Sequence, residues 1–214
     1  MVMDHSDLAI AYPLSAIAEA FEDLSTKVQG IKNGSSTQHI RLDSFCEIAS
    51  LVSVLFRCLG LAFKFAEMEY VAKLHGLVEA SKTYQTLQDV IDHDVARDTV
   101  KTSGSYSRNL RRVRQGLDLV RAIFEQLLST SDIYLKEVAS TAYGEVCAPY
   151  HSWGVRTAVY AGMYTLPTRD QLFVKLNETE QSAEKKMRRY ITASRPVIEY
   201  IDKMYLTRNI ALDW

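Results

Sequence analysis

Apolar positions recur at spacings of three and four along nearly all of the 214-residue chain, the repeat of a helix face and not of a strand. The clearest run is Leu110, Val113, Leu117, Val120, Phe124 and Leu127, which predicts a helix over about 108–128. The same pattern predicts helices over about 13–28, 44–73, 77–101, 138–164, 168–192 and 196–208. Gly60 is expected to break or bend the second of these. Ser44 with Glu47, and Thr168 with Gln171, read as capping boxes that open helices. The four prolines, Pro13, Pro149, Pro167 and Pro196, are each placed to sit at a helix start. Loops are expected over 30–38 and 102–107. No alternating pattern, internal repeat or linker interrupts the chain. The expectation is one all-α domain over 1–214, with 1–12 as a flexible N-terminal extension.

The stretch from Phe45 to Ala66 is apolar enough to raise a membrane span. Glu47, Arg57 and Lys64 interrupt it at helical spacing, and charge at bilayer depth is costly, so a buried central helix is the expectation. The opening MVMDHSDLAI carries two acids and no Lys or Arg, which is not a secretory signal. The net charge is −1, so any basic site is a local cluster on a near-neutral body. Cys46, Cys58 and Cys147 are odd in number and lack C-x-x-C spacing. They read as small buried hydrophobes in a reducing compartment, the cytosol.

Three constellations carry chemistry. Glu69 and Lys73 lie one turn apart, an acid and an amine on one helix face. From spacing alone they equally form an ordinary surface pair. Arg108 and Arg112 repeat that one-turn spacing, with Arg111 and Arg114 beside them; a solvated basic face is the bland alternative. Few aromatics are interleaved among these arginines, and that argues against nucleic acid. His151 with Trp153, after Pro149, falls near a helix start, where an indole can reach a membrane interface or fold into the core. His93–Asp94, with His75 upstream, leaves a metal phosphohydrolase as a distant alternative. No G-x-S-x-G, phosphate-binding loop, H-E-x-x-H or dinucleotide fingerprint is present, and neither cofactor nor metal is expected.

The segments GLAFKFAEMEYVAK, SRNLRRVRQGLD, APYHSWGVR, MYTLPTR and the terminal DW resemble, in this order, the glycolipid transfer protein superfamily. The resemblance implies an all-α, two-layer sandwich of about eight helices enclosing an apolar lipid pocket. It also implies non-enzymatic transfer of a sphingolipid between membranes. Glu69 and His151 match the positions that hold the ceramide amide and hydroxyl. Lys73 and Arg112 stand where sugar-binding members carry Asn and Trp, and Arg108 is matched as well. Three cations and no stacking indole imply a phosphate headgroup, ceramide-1-phosphate or a related phosphosphingolipid. Trp153 is the implied membrane-docking residue, and the implied partners are this lipid and a transient membrane surface. The chain departs from the family at Glu69, where the family has Asp, and at Ser152, where it has Gly. A helical lipid sensor or scaffold using the same pocket is the alternative.

Overall fold

A computed structural model describes residues 11–34 and 39–214. In it the apolar periodicity resolves into ten α-helices among the described residues. They are α1 Pro13–Lys32, α2 Leu42–Leu51, α3 Ser53–Cys58, α4 Leu61–Ser81, α5 Leu87–Ala96, α6 Tyr106–Ser129, α7 Leu135–Val146, α8 Trp153–Gly162, α9 Arg169–Lys175 and α10 Glu180–Leu206. Single 3-10 turns occupy Ala148–Tyr150 and Met163–Thr165. Among the described residues, only two isolated bridges, Arg41–Thr86 and Tyr134–Thr168, pair backbones in the manner of strands. The helices form a two-layer sandwich in which α6 packs against α4, α5, α7 and α10, while α1 lies along α10. Among the described residues no helix is long and apolar enough to cross a membrane.

Boundaries depart from the sequence expectations where turn chemistry overrides periodicity. The Ser44–Glu47 capping box does not form. Helix α2 starts earlier, at Leu42, and Asp43 instead accepts the Ser44 N–H at 2.6 Å. The expected helix 44–73 is three pieces, the last break falling at Gly60, whose φ of +86° suits a residue without a Cβ. Phe45, Phe56 and Phe63 within it are buried, but Phe65 is 79% exposed, so the stretch is not wholly interior. The expected helix 77–101 is also divided: α4 runs on to Ser81, and a capping box of Thr86 and Asp89 opens α5. Helix 138–164 breaks at the turn Ala148–Tyr150. Helix 168–192 opens on the expected Thr168–Gln171 box, but stops at Lys175 before a second box, Thr179–Ser182, starts α10. Pro196 lies inside α10, not at a helix start. Helix α1 reaches Lys32, beyond the expected loop start. Residues 35–38 of that loop, and 1–10 of the N-terminal extension, lie outside the described residues. Ala11 is tied down, its carbonyl accepting the Asn177 side-chain amide at 2.8 Å.

Helix α6 is the hub. All six of its periodic apolar residues are buried. Its first turn is pinned from two sides. Asp94 of α5, 3% exposed, accepts the Ser107 N–H at 2.6 Å, and the Tyr205 hydroxyl of α10 donates to the Ser107 carbonyl at 2.6 Å. An apolar seam lined by Leu55, Leu59, Val120, Ile123, Phe124, Leu172 and Leu176 separates α3, α6 and α9. It encloses about 10 Å³, room for about one water at most.

Helices α4 and α6 approach at two glycines. A Cβ at Gly116 would lie 2.5 Å from the buried Tyr70 ring, and one at Gly76 would lie 2.5 Å from the Asn109 amide. Tyr70 cannot swing aside, because its hydroxyl donates to the Ala49 carbonyl at 2.7 Å. The Gly116→Ala substitution gains ~1 kcal/mol of helix propensity and loses ~1–3 kcal/mol to overpacking. Loss is expected to win here, since the contact is far below van der Waals distance. Thermal unfolding by circular dichroism should show a lowered Tm for Gly116→Ala; an unchanged or raised Tm would mean that the helices have room to part.

Candidate functional site

The two glycine contacts fix the register of α4 against α6. Tyr70 meets Gly116, and Gly76 meets Asn109, so the helices run antiparallel. Lys73 falls midway between Tyr70 and Gly76, and Arg112 falls between Asn109 and Gly116. Residues 109, 112 and 116 share one helical stripe, as do 70, 73 and 77. The register therefore sets Lys73 and Arg112 across the same seam. Lys73 Nζ lies 3.4 Å from Glu69 Oε2, the i,i+4 pair that the spacing predicts. The Glu69 side chain is 76% exposed, so that carboxylate stands at a rim and is not enclosed.

The arginines of α6 divide by partner, and the solvated-face reading fails for most of them. Arg111 is buried and donates to Asp202 at 2.9 Å and to the Leu212 carbonyl at 2.9 Å. Arg114 bridges Asp202 and Asp118, and Arg121 bridges Asp118 and Glu125. These three join α6 to α10 and to itself. Arg108 and Arg112 have no carboxylate partner among the described residues. Arg108 donates to the Lys101 carbonyl at 2.6 Å, and Arg112 donates to the side-chain oxygen of Gln115 at 2.5 Å. Burial, then repulsion from Arg108 and Arg111, pushes the Arg112 guanidinium below the usual arginine range. A half-buried cation with cationic neighbours is arranged to receive an anion.

His151 completes this corner. It follows the turn Ala148–Tyr150, where Tyr150 lies against the Arg111 guanidinium at 5.9 Å. Its Nδ1 is 2.8 Å from the Tyr143 hydroxyl. Burial, and the charge of Arg112, hold the imidazole below the usual histidine range. Burial raises the Tyr143 phenol to about 12, so it stays protonated and can donate to Nδ1. When the phenol donates to Nδ1, the neutral ring carries its proton on Nε2. Trp153 opens α8 under a Ser152 side-chain cap and is 74% exposed, which removes the core alternative. It lines an open hollow of about 450 Å³ with Pro149, Arg156, Thr157 and Tyr160.

The register places Lys73 level with Arg112 along the α4–α6 seam, with Arg108 one turn along α6 and His151 near Arg112, while the Glu69 and Trp153 side chains are exposed. Gln115 and Tyr143, the neutral partners of Arg112 and His151, carried no sequence signal beyond Gln115's i,i+3 spacing. The His93–Asp94 pair belongs elsewhere. Asp94 Oδ1 lies 3.2 Å from His93 and 3.3 Å from the Thr99 hydroxyl, while Oδ2 holds Ser107. His93 sits between the rings of Tyr84 and Tyr106. The pair is a latch for the start of α6, and no group of three His, Cys, Asp or Glu side chains converges among the described residues. Cys46 and Cys147 are buried, and burial raises each thiol to about 12. Cys58 is only partly buried, contrary to expectation.

Comparison with known proteins bears on this arrangement. A family profile described as glycolipid transfer protein (GLTP) matches residues 40–178. The chain is 66% identical over 203 residues to the ACD11 homolog protein of Arabidopsis thaliana, covering 94% of this chain and 89% of the relative. It is 44% identical over 203 residues to accelerated cell death 11 of the same organism, covering 94% and 96%. A crystal structure of an Arabidopsis accelerated-cell-death 11 variant complexed with ceramide-1-phosphate superposes with a TM-score of 0.89 at 43% identity, covering 95% of this chain and 98% of that one.

The lowered basicity of His151 has a measurable sign. As pH falls, the unfolded chain protonates first, near the unperturbed value of about 6.5. Stability is therefore full above that value and declines as pH falls through it toward the folded value. The decline in Tm between neutral pH and mildly acid pH should be smaller for His151→Gln than for the parent. Parallel declines would place His151 in water, without the burial described.

Proposed function

The chain belongs to the glycolipid transfer protein family, and from that premise we propose that it carries ceramide-1-phosphate between membranes, without chemistry on the lipid. The supporting observation is Arg112: half-buried, repelled by Arg108 and Arg111, and without a carboxylate partner among the described residues. A phosphate monoester supplies the missing charge, and guanidiniums match its oxygens with forked donors. A neutral sugar would leave Arg108 and Arg112 uncompensated. Arabidopsis accelerated-cell-death 11, crystallised with this lipid class, supports the same choice.

In this proposal Lys73, Arg108 and Arg112 bind the phosphate. Glu69 accepts from the ceramide amide and hydroxyl, and the Nε2–H of His151 donates to the amide carbonyl. Exposed Trp153, with Phe65 and Met68 on α4, docks at the bilayer interface. The chains enter the apolar seam, and the short helices α3 and α9 that wall it move aside. Each buried CH₂ contributes ~0.8 kcal/mol, so chain burial offsets extraction from the bilayer and the headgroup contacts supply selectivity. The cycle operates in the cytosol, as a shuttle that visits membranes briefly.

Vesicle-to-vesicle transfer tests the reading. Ceramide-1-phosphate should move and galactosylceramide should not; the reverse would sink the proposal. Arg112→Leu should abolish transfer with the fold intact, because a desolvated charge pair contributes ~2–5 kcal/mol. Arg188→Leu, at an exposed site on α10, should matter little. Trp153→Ala should weaken vesicle binding without lowering Tm much. Glu69→Gln decides whether this exposed acid works on the lipid. Loss of a charged bond costs ~1.5–3 kcal/mol, whereas loss of the Lys73 pair alone costs at most ~1 kcal/mol. Parent-like transfer by Glu69→Gln would remove Glu69 from the site.

A further inference from the structure

The partner of Arg112 differs in kind from those of its neighbours. Arg111, Arg114 and Arg121 all end on carboxylates. Arg112 ends on a carboxamide, the Oε1 of Gln115 at 2.5 Å. Gln115 is 5% exposed. A guanidinium only donates, so the amide must turn its oxygen to Arg112 and its nitrogen away. That nitrogen, Nε2, is buried and has no hydrogen-bond partner among the described residues. A buried donor left unpaired costs stability, and an apolar side chain of similar length would avoid the cost. A glutamate of the same shape would bond Arg112 more strongly, but it would also cancel its charge. The chain has neither.

We propose that Gln115 is a positioning residue for anion capture: it fixes the plane of the Arg112 guanidinium while leaving its charge uncompensated. The proposal rests on Arg112 being the phosphate ligand, and it names what keeps that ligand both ordered and active. Held by one N–H, the planar fork presents its remaining donors in a fixed direction, so less freedom is lost when a phosphate arrives. The unpartnered Nε2 is the stability given up for this arrangement.

The test uses the full chain, vesicles carrying ceramide-1-phosphate, and the substitutions Gln115→Glu and Gln115→Met, with Tm measured alongside. Gln115→Glu should slow transfer at least tenfold and melt no lower than the parent. Gln115→Met should slow transfer severalfold and melt at the same temperature or higher. Parent-like transfer by both variants, with Arg112→Leu inactive, overturns this proposal and leaves the carrier reading standing. Slowed transfer with a large fall in Tm in both variants assigns Gln115 to packing and also overturns it. A parent chain that moves no ceramide-1-phosphate overturns the carrier reading and this proposal together.

Discussion

The close approach of α4 to α6 is the constraint on which the site depends. Gly76 and Gly116 let the two backbones come near enough for Tyr70 and Asn109 to fill the space that side chains would take. That contact locks an antiparallel register, and the register sets Lys73 level with Arg112. A slip of one residue along α6 would turn Arg112 by about 100° and present a different side chain to Lys73. Tyr70 also bonds the end of α2 through the Ala49 carbonyl, so the headgroup corner is braced by a third helix.

Charge is distributed along α6 with the same economy. The whole chain is within one unit of neutrality, yet its cations are not neutralised evenly. Asp118, Asp202 and Glu125 are drawn to Arg111, Arg114 and Arg121, where they tie α6 to α10 and satisfy guanidiniums that burial would otherwise make costly. Arg108 and Arg112 receive a carbonyl and an amide. The two sets of arginines, interleaved along the helix, are thus separated by the kind of oxygen each meets. Local rules of charge pairing are obeyed at Arg111, Arg114 and Arg121 and relaxed at Arg108 and Arg112.

Much of this was legible in the chain, for reasons that differ by element. The α6 stripe was plain because six apolar residues at helical spacing over a long run have no other economical reading. The Thr168–Gln171 box was plain because both partners are local. The six candidate site residues came from family motifs, since spacing alone left Glu69–Lys73 a surface pair and Arg108–Arg112 a basic face. What could not be read involves partners set by tertiary packing. Asp94 caps Ser107 from another helix, Tyr143 supports His151 across a turn, and Gln115 meets Arg112 in a position that looks like any polar surface residue. The break expected at Gly60 is there, but helix breaks at Val52 and before Thr179 were blurred for a related reason: apolar periodicity continues through a turn when both flanking helices bury the same face.

The peptide group of Ser107 gives this fold an internal clock. Its N–H is held by α5 and its carbonyl by α10, while the residue itself begins α6. That N–H is freed when the buried Asp94, in the last turn of α5, lets go, so hydrogen–deuterium exchange at Ser107 reports separation of α5 from the start of α6, whereas amides around Trp153, at the start of exposed α8, report breathing of the rim alone. The ratio of the two exchange rates measures how far the docking edge moves independently of the core that carries the arginines.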